Sequence, residues 1–327
     1  MGNSTTTLQN VLDFASTKGI PIPTQTAAGY GTELAIKIAN DVMGDIIAER
    51  FNWKWNRATA SAFYTNSWQQ DYPQIGLVNL GWLEDADRVD INNTALPKPM
   101  RQLTVRRQLS RSSQSWTPVM ELCWMYNSQL TFGVWPGPGI VYAPLVVAPP
   151  AIVQQNPVMS MVDVNGNLLI VTGFGTTGLS APVLLRSSAE GTTVTDGSVT
   201  WTVVGPNSQG FRVHPLPGAS GPVWQITPYY QMLLQKLTAL GSLINPIPDD
   251  YSRIFQTGYE IACKRSSPNP GDRAEGEKEY PLWMKAMKDA AKQGDREADA
   301  YGMLPATSPV ENIYGWRRNP QDPSQPY

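Results

Sequence analysis

His214 is the single histidine of the chain and is followed by Pro215. As a general base it would need a nucleophile and an orienting carboxylate, and as a zinc ligand it would need His or Cys partners at ligand spacing. No such partners accompany it in sequence. Cys123 and Cys263 lie far apart in apolar contexts, which suits core thiols better than a disulfide framework or a zinc site. Gly173-Phe174-Gly175-Thr176-Thr177-Gly178 has the spacing G-x-G-x-x-G, but it lies between two β-type segments with no helix to receive a pyrophosphate, so it reads as a loop. Asp249-Asp250 and the run Glu275, Glu277, Glu279 could be imagined as the paired acids of a glycosidase or cell-wall hydrolase. Their places before expected helices explain the first pair as caps and the second as charges favoured by the helix dipole. These residues therefore predict no catalytic site, no metal and no cofactor.

Other residues have the chemistry of contact. From Ile91 to Met120 the chain carries Lys98, Arg101, Arg106, Arg107 and Arg111 and no acid. On a strand, Arg101, Arg107 and Arg111 would share one face and Arg106 the other, a pattern that fits either contact with phosphate or an acidic neighbour, or a solvated loop. Trp201 and Trp224 could stack on sugar rings, which gives an alternative reading as a carbohydrate- or receptor-binding component that uses the β insertion. Trp316, Arg317 and Arg318 lie in a Pro-rich C-terminal stretch with neither helical nor strand period.

Several elements must position these residues. Leu34, Ile38, Val42 and Ile46, widened by Ala35, Ala39, Met43 and Ile47, predict a helix from about Thr32 to Arg50, after a shorter one over Leu8 to Ser16. Strand patterns follow at Ala58 to Trp68, Ile75 to Asp87, Gln102 to Arg107, Val119 to Tyr126 and Leu130 to Trp135. Asn165-Gly166 and Asp196-Gly197 sit between alternating apolar residues and predict two hairpins. Helical patterns return at Pro228 to Leu240 and at Asp250 to Lys264. A polar loop over Ser266 to Gly276 then leads to a helix opening at Pro281, which Gly294 interrupts. The fold class is α+β. It has a discontinuous helix-plus-β-strand core (1–140 and 221–304), an inserted small all-β domain (141–220) and an extended C-terminal arm (305–327).

The 327 residues suffice for two domains, and 16% of them are charged, against roughly 25% in an average soluble domain. With 11 tryptophans in addition, the composition points to surface covered by other proteins. A net charge of −2 gives no global field to gather nucleic acid. The N-terminus carries no secretory signal, and the longest apolar run, Val141 to Val153, is broken by Pro144, Pro149 and Pro150, so no membrane anchor is expected.

Three segments carry a family resemblance. They are Ile46-Ile47-Ala48-Glu49-Arg50-Phe51-Asn52-Trp53, Ile247-Pro248-Asp249-Asp250-Tyr251-Ser252-Arg253-Ile254-Phe255-Gln256, and Gly191-Thr192-Thr193-Val194-Thr195-Asp196-Gly197-Ser198-Val199-Thr200-Trp201. The first two resemble the head-to-tail adaptor proteins of tailed bacteriophages, including the tail tubular group of podoviruses. The third is similar to a short module that recurs in phage structural proteins. The resemblance implies a virion neck protein, assembled in the host cytoplasm as a homo-oligomeric ring, usually of twelve copies, below the portal protein. Helices would surround a channel for double-stranded DNA, and strands would meet the adjacent tail or nozzle protein. An arm would dock on the portal, here through Trp316, Arg317 and Arg318. The insertion is longer than such proteins need.

Overall fold

A computed structural model of the chain describes residues 4–22, 33–48, 53–90, 98–102, 121–144, 147–148, 151–152, 156–214, 216–217 and 223–300; of 98–102, 147–148, 151–152 and 292–300 it describes the backbone alone. The fold is α+β. It divides into a helical unit, from residues 1–58 with 231–306, and a β unit centred on Thr59–Tyr230.

In the helical unit, α1 (Leu8–Thr17) starts at Thr7, whose Oγ1 accepts from the Asn10 N–H at 3.2 Å, and it buries Leu8, Val11, Leu12 and Ala15. Helix α2 (Glu33–Ala48) buries Ala35, Ile38, Ala39, Val42, Met43 and Ile46, the stripe expected from its period, while Leu34 is exposed. At its end the Trp53 indole donates to the Ile46 carbonyl at 3.1 Å.

The β unit begins along the strands β1 (Arg57–Thr59), β2 (Phe63–Tyr64), β3 (Asp71–Pro73), β4 (Leu80–Asp90), β5 (Lys98–Gln102) and β6 (Glu121–Tyr126). Within the inserted segment follow β7 (Val141–Tyr142), β8 (Val147–Ala148), β9 (Ala151–Ile152), β10 (Ser160–Val162), β11 (Leu168–Gly173), β12 (Gly175–Thr176), β13 (Thr193–Asp196) and β14 (Val199–Val203). The main sheet resumes with β15 (Gln209–His214) and β16 (Trp224–Met232). Its order is β1-β16-β4-β5-β6-β15-β3, with β2 also pairing β16. The inserted segment folds its own antiparallel sheet, β10-β11-β14-β13, around Tyr142, Met161, Leu169, Val171, Val199, Trp201 and Val203. Both hairpins form where Asn165-Gly166 and Asp196-Gly197 place them. Gly197 holds φ +63°, and a Cβ there would strike the backbone of Thr176 to Gly178, so no side chain fits.

The chain then re-enters the helical unit with α3 (Ser252–Arg265) and α4 (Pro270–Ala300). These pack with α1 and α2 around Trp53, Phe255, Tyr259, Trp283 and Met287. Burial of each such large apolar side chain contributes roughly 1.5–3 kcal/mol.

Four expectations are corrected. Residues 228–240 are not a helix. Ile226, Pro228, Tyr230 and Met232 are buried alternately along β16, so period two and aromatic content win over the Leu-Gln-Lys pattern that follows. Helix α4 starts at Pro270, where the Asn269 Oδ1 accepts from the Gly271 N–H at 2.9 Å, and it runs unbroken through Gly276, Pro281 and Gly294. Leu130 to Trp135 forms no strand, only a bridge at Gly133, and Ala58 to Trp68 breaks into short strands before Trp68 turns at φ +62°. The two compact units themselves part near residues 58 and 230. The strands of 59–126 belong with the insertion because their partners, β15 and β16, flank it.

Candidate functional site

The acids of the inserted sheet are engaged by its loops. Asp163 accepts from the N–H groups of Asn165, Asn167 and Leu184 at 2.9, 2.8 and 3.1 Å, and from the Asn167 amide at 2.8 Å. Burial would raise its pKa, but the bonds from Asn167, Leu184 and Asn165 outweigh that and hold it below the usual carboxylate range. Asp196 takes the Trp135 indole N–H at 2.8 Å and the Gly178 N–H at 2.6 Å. Glu190 takes the Gly76 N–H at 2.9 Å and the Ser208 hydroxyl at 2.7 Å. In the main sheet, Asp71 pairs bidentately with Arg212 at 2.5 and 2.6 Å and accepts from the Thr131 N–H at 2.6 Å. The Asp71 partner is the leading cause that raises the Arg212 pKa.

The residues weighed for chemistry fall into place as framework. Asp249 does not cap α3 with its side chain. Its carboxylate instead accepts from the Ser4, Thr5 and Thr6 hydroxyls at 2.9, 2.7 and 3.0 Å and from the Thr5 N–H at 3.0 Å, and the Thr5 and Ser4 side chains lead in lowering its pKa to about 2. Glu275, Glu277 and Glu279 lie inside α4, not before it: Lys264 pairs with Glu275 and Glu279, and Arg265 with Glu277. The glycines of G-x-G-x-x-G allow close approach: a side chain on Gly173 would meet the Thr200 Oγ1 at 2.7 Å, and one on Gly178 the Gly197 nitrogen at 2.9 Å. Cys123 and Cys263 are buried and free, and burial pushes the Cys263 thiol up to about 12. Among the described residues no three His, Cys, Asp or Glu side chains are grouped as metal ligands, and no helix is long and apolar enough to cross a membrane.

The expected contact residues are placed in part. Arg101 lies on β5 with its backbone in register with Glu121 of parallel β6. Arg106, Arg107, Arg111, Trp316, Arg317 and Arg318 lie outside the described residues. Trp201 is 0% exposed, with Tyr142 edge-on at 5.7 Å, so it cannot stack on a sugar. Trp224 carries the Arg88 guanidinium over its ring at 4.7 Å.

Two features remain that the sequence did not single out. The first is a set of apolar side chains standing in solvent: Leu179, Leu185 and Val164 at 95, 85 and 79% exposure on the inserted segment, with Val183, and Val134 just before it. The Val164 turn and the Leu185 loop are held together, since Asp163 accepts from the Leu184 N–H and the Asn167 amide donates to the Leu185 carbonyl. The second is a cavity of about 400 Å³ between the main sheet and the inserted sheet. Phe63, Tyr64 and Tyr72 line one side, Ile170, Val171 and Phe174 the other, and among the described residues no charged side chain takes part. Phe63 stacks on Tyr72 at 4.7 Å. The Asn66 amide donates across to the carbonyls of Asn156 and Pro157 at 2.7 and 3.0 Å, and the Gln69 Oε1 accepts from the Met159 N–H at 3.2 Å. These amides fix the walls to each other. No protein-family model and no curated protein matches the chain.

Proposed function

We propose that the chain is a structural virion protein and not an enzyme: a head-to-tail adaptor in the neck of a tailed bacteriophage, joining the portal to the adjacent tail or nozzle protein. It acts by assembling into a homo-oligomeric ring, of twelve copies by the resemblance, around the passage for double-stranded DNA. The observation that carries the assembly reading is the set of apolar side chains exposed on the inserted segment, Leu179, Leu185, Val164 and Val183, on a domain whose acids are engaged internally. Large apolar side chains left this far in solvent are the kind that protein partners cover. The adaptor identity draws on the resemblance, and its two helical segments share one core: the Trp53 and Tyr251 rings lie 6.0 Å apart, beside Ile46, Ile247 and Phe255. A ring needs heterologous contacts that close by rotation.

The test is mass measurement of the purified chain alone and with portal protein. The expected result is a defined ring, or a complex of one ring with one portal. A chain that stays monomeric in both settings overturns the proposal. Truncation at Pro305 should abolish portal binding. Undiminished binding would remove Trp316, Arg317 and Arg318 from any docking role.

A further inference from the structure

The cavity between the two sheets has a chemistry of its own. Its walls are aromatic and aliphatic, no charged side chain lines it among the described residues, and its volume of about 400 Å³ falls in the range of ligand sites. Tyr64 and Phe174, each 44% exposed, come to it from opposite sheets. Most of its amides are engaged in the walls, and Tyr72 donates to the Gln69 carbonyl at 2.7 Å. The Tyr64 hydroxyl and the Gln74 side-chain amide make no hydrogen bond among the described residues. The site therefore offers aromatic surface with two free donors. A neutral sugar would bury more hydroxyls than these two groups satisfy, and each one left unpaired would lose its hydration without replacement. A polyproline II segment fits better, because its prolines are apolar and its carbonyls, free of internal hydrogen bonds, need few donors.

The chain contains such a segment. Pro320, Pro323 and Pro326 recur every third residue, the repeat of a polyproline II helix, so all three fall on one face. Asp322, the single charged side chain between Pro320 and Pro326, lies off that face. Pro320 stands twenty positions beyond Ala300, the end of α4, a reach of up to roughly 70 Å, more than twice the diameter of a small domain. We infer that the Pro320–Pro326 segment of this chain docks, as a polyproline II helix, into the Tyr64–Phe174 cavity of the same or a neighbouring copy, with Tyr64 and Gln74 donating to its carbonyls. This does not depend on the adaptor reading, and it leaves Trp316, Arg317 and Arg318 free for another partner.

The experiment uses a labelled peptide of residues 319–327 and the full chain carrying Pro320→Ala, Pro323→Ala and Pro326→Ala. Anisotropy should show saturable binding to this variant, and at least tenfold weaker binding to the unaltered chain, whose own segment competes at high effective concentration. Adding Phe174→Ser should weaken peptide binding at least tenfold. Tyr64→Phe, which keeps the ring, should weaken it severalfold with an unchanged melting temperature. A peptide with alanine at all three proline positions should not bind. Absence of peptide binding overturns the inference, and so does binding that Phe174→Ser leaves intact, or binding of a neutral oligosaccharide in place of the peptide. Portal binding, measured in parallel on the same variants, reports separately on the adaptor reading.

Discussion

The Asp249 carboxylate gathers the hydroxyls of Ser4, Thr5 and Thr6 at the entry to α3, and so fixes the chain leading into α1. With its pKa lowered to about 2 from an ordinary value near 3.9, its stabilising effect is complete above about pH 4 and is lost as pH falls toward 2. Asp249→Asn should therefore lower the melting temperature at pH 7, and the gap from the unaltered chain should close between pH 4 and pH 2 in a calorimetric series. Arg212 presents the opposite case, a partner buried with its acid. Arg212→Met leaves Asp71 buried with its Thr131 bond alone and should cost about 3–5 kcal/mol in urea unfolding, part of which Asp71→Asn recovers. Neither role was legible in sequence. The partners of Asp249 lie more than two hundred positions away, and Asp71 and Arg212 meet only through the β3–β15 register.

At the scale of elements, α3 and α4 form a hairpin whose fit depends on small residues. The Trp283 ring lies over Gly258, and its indole donates to the Ile254 carbonyl at 2.9 Å. Any side chain at Gly258 would collide with that ring, so Gly258→Ala should destabilise by about 1–3 kcal/mol on thermal unfolding. Gly276 lies against Arg265 in the same way: a Cβ there would come within 2.8 Å of the Arg265 Cγ. Pro281 is exposed, so the carbonyl four residues earlier, left without an N–H partner, faces water and the helix continues through it. The amphipathic helices α1, α2 and α3 were legible because their periods survive packing. The early start of α4 was not, because Gly276, Pro281 and a polar surface read locally as a loop, while the Lys264, Arg265 and Trp283 contacts that favour helix come from its partner. In the inserted sheet the turn residues announced both hairpins, but the cavity depends on side chains from two sheets that no local pattern relates.

At the scale of the whole molecule, composition indicated assembly before any surface was visible, and the exposed side chains give that reading residues to alter. Leu179→Asp and Leu185→Asp should leave the melting temperature of the isolated chain within about 1 °C, since both side chains already stand in water. The same changes should remove the larger species in mass measurement if this face is an assembly surface. The division of the chain has one more consequence, for synthesis. The partners of α1 and α2 in their core, Phe255, Tyr259 and Trp283, lie beyond the whole β unit, about 200 to 225 residues downstream of Ala58. At ordinary elongation rates the apolar stripes of the first two helices wait roughly 10 to 45 s on the ribosome before those partners emerge. During that interval the nascent chain is a substrate for holdase chaperones, and slow codons within the β unit should lower soluble yield more than the same codons placed after Trp283.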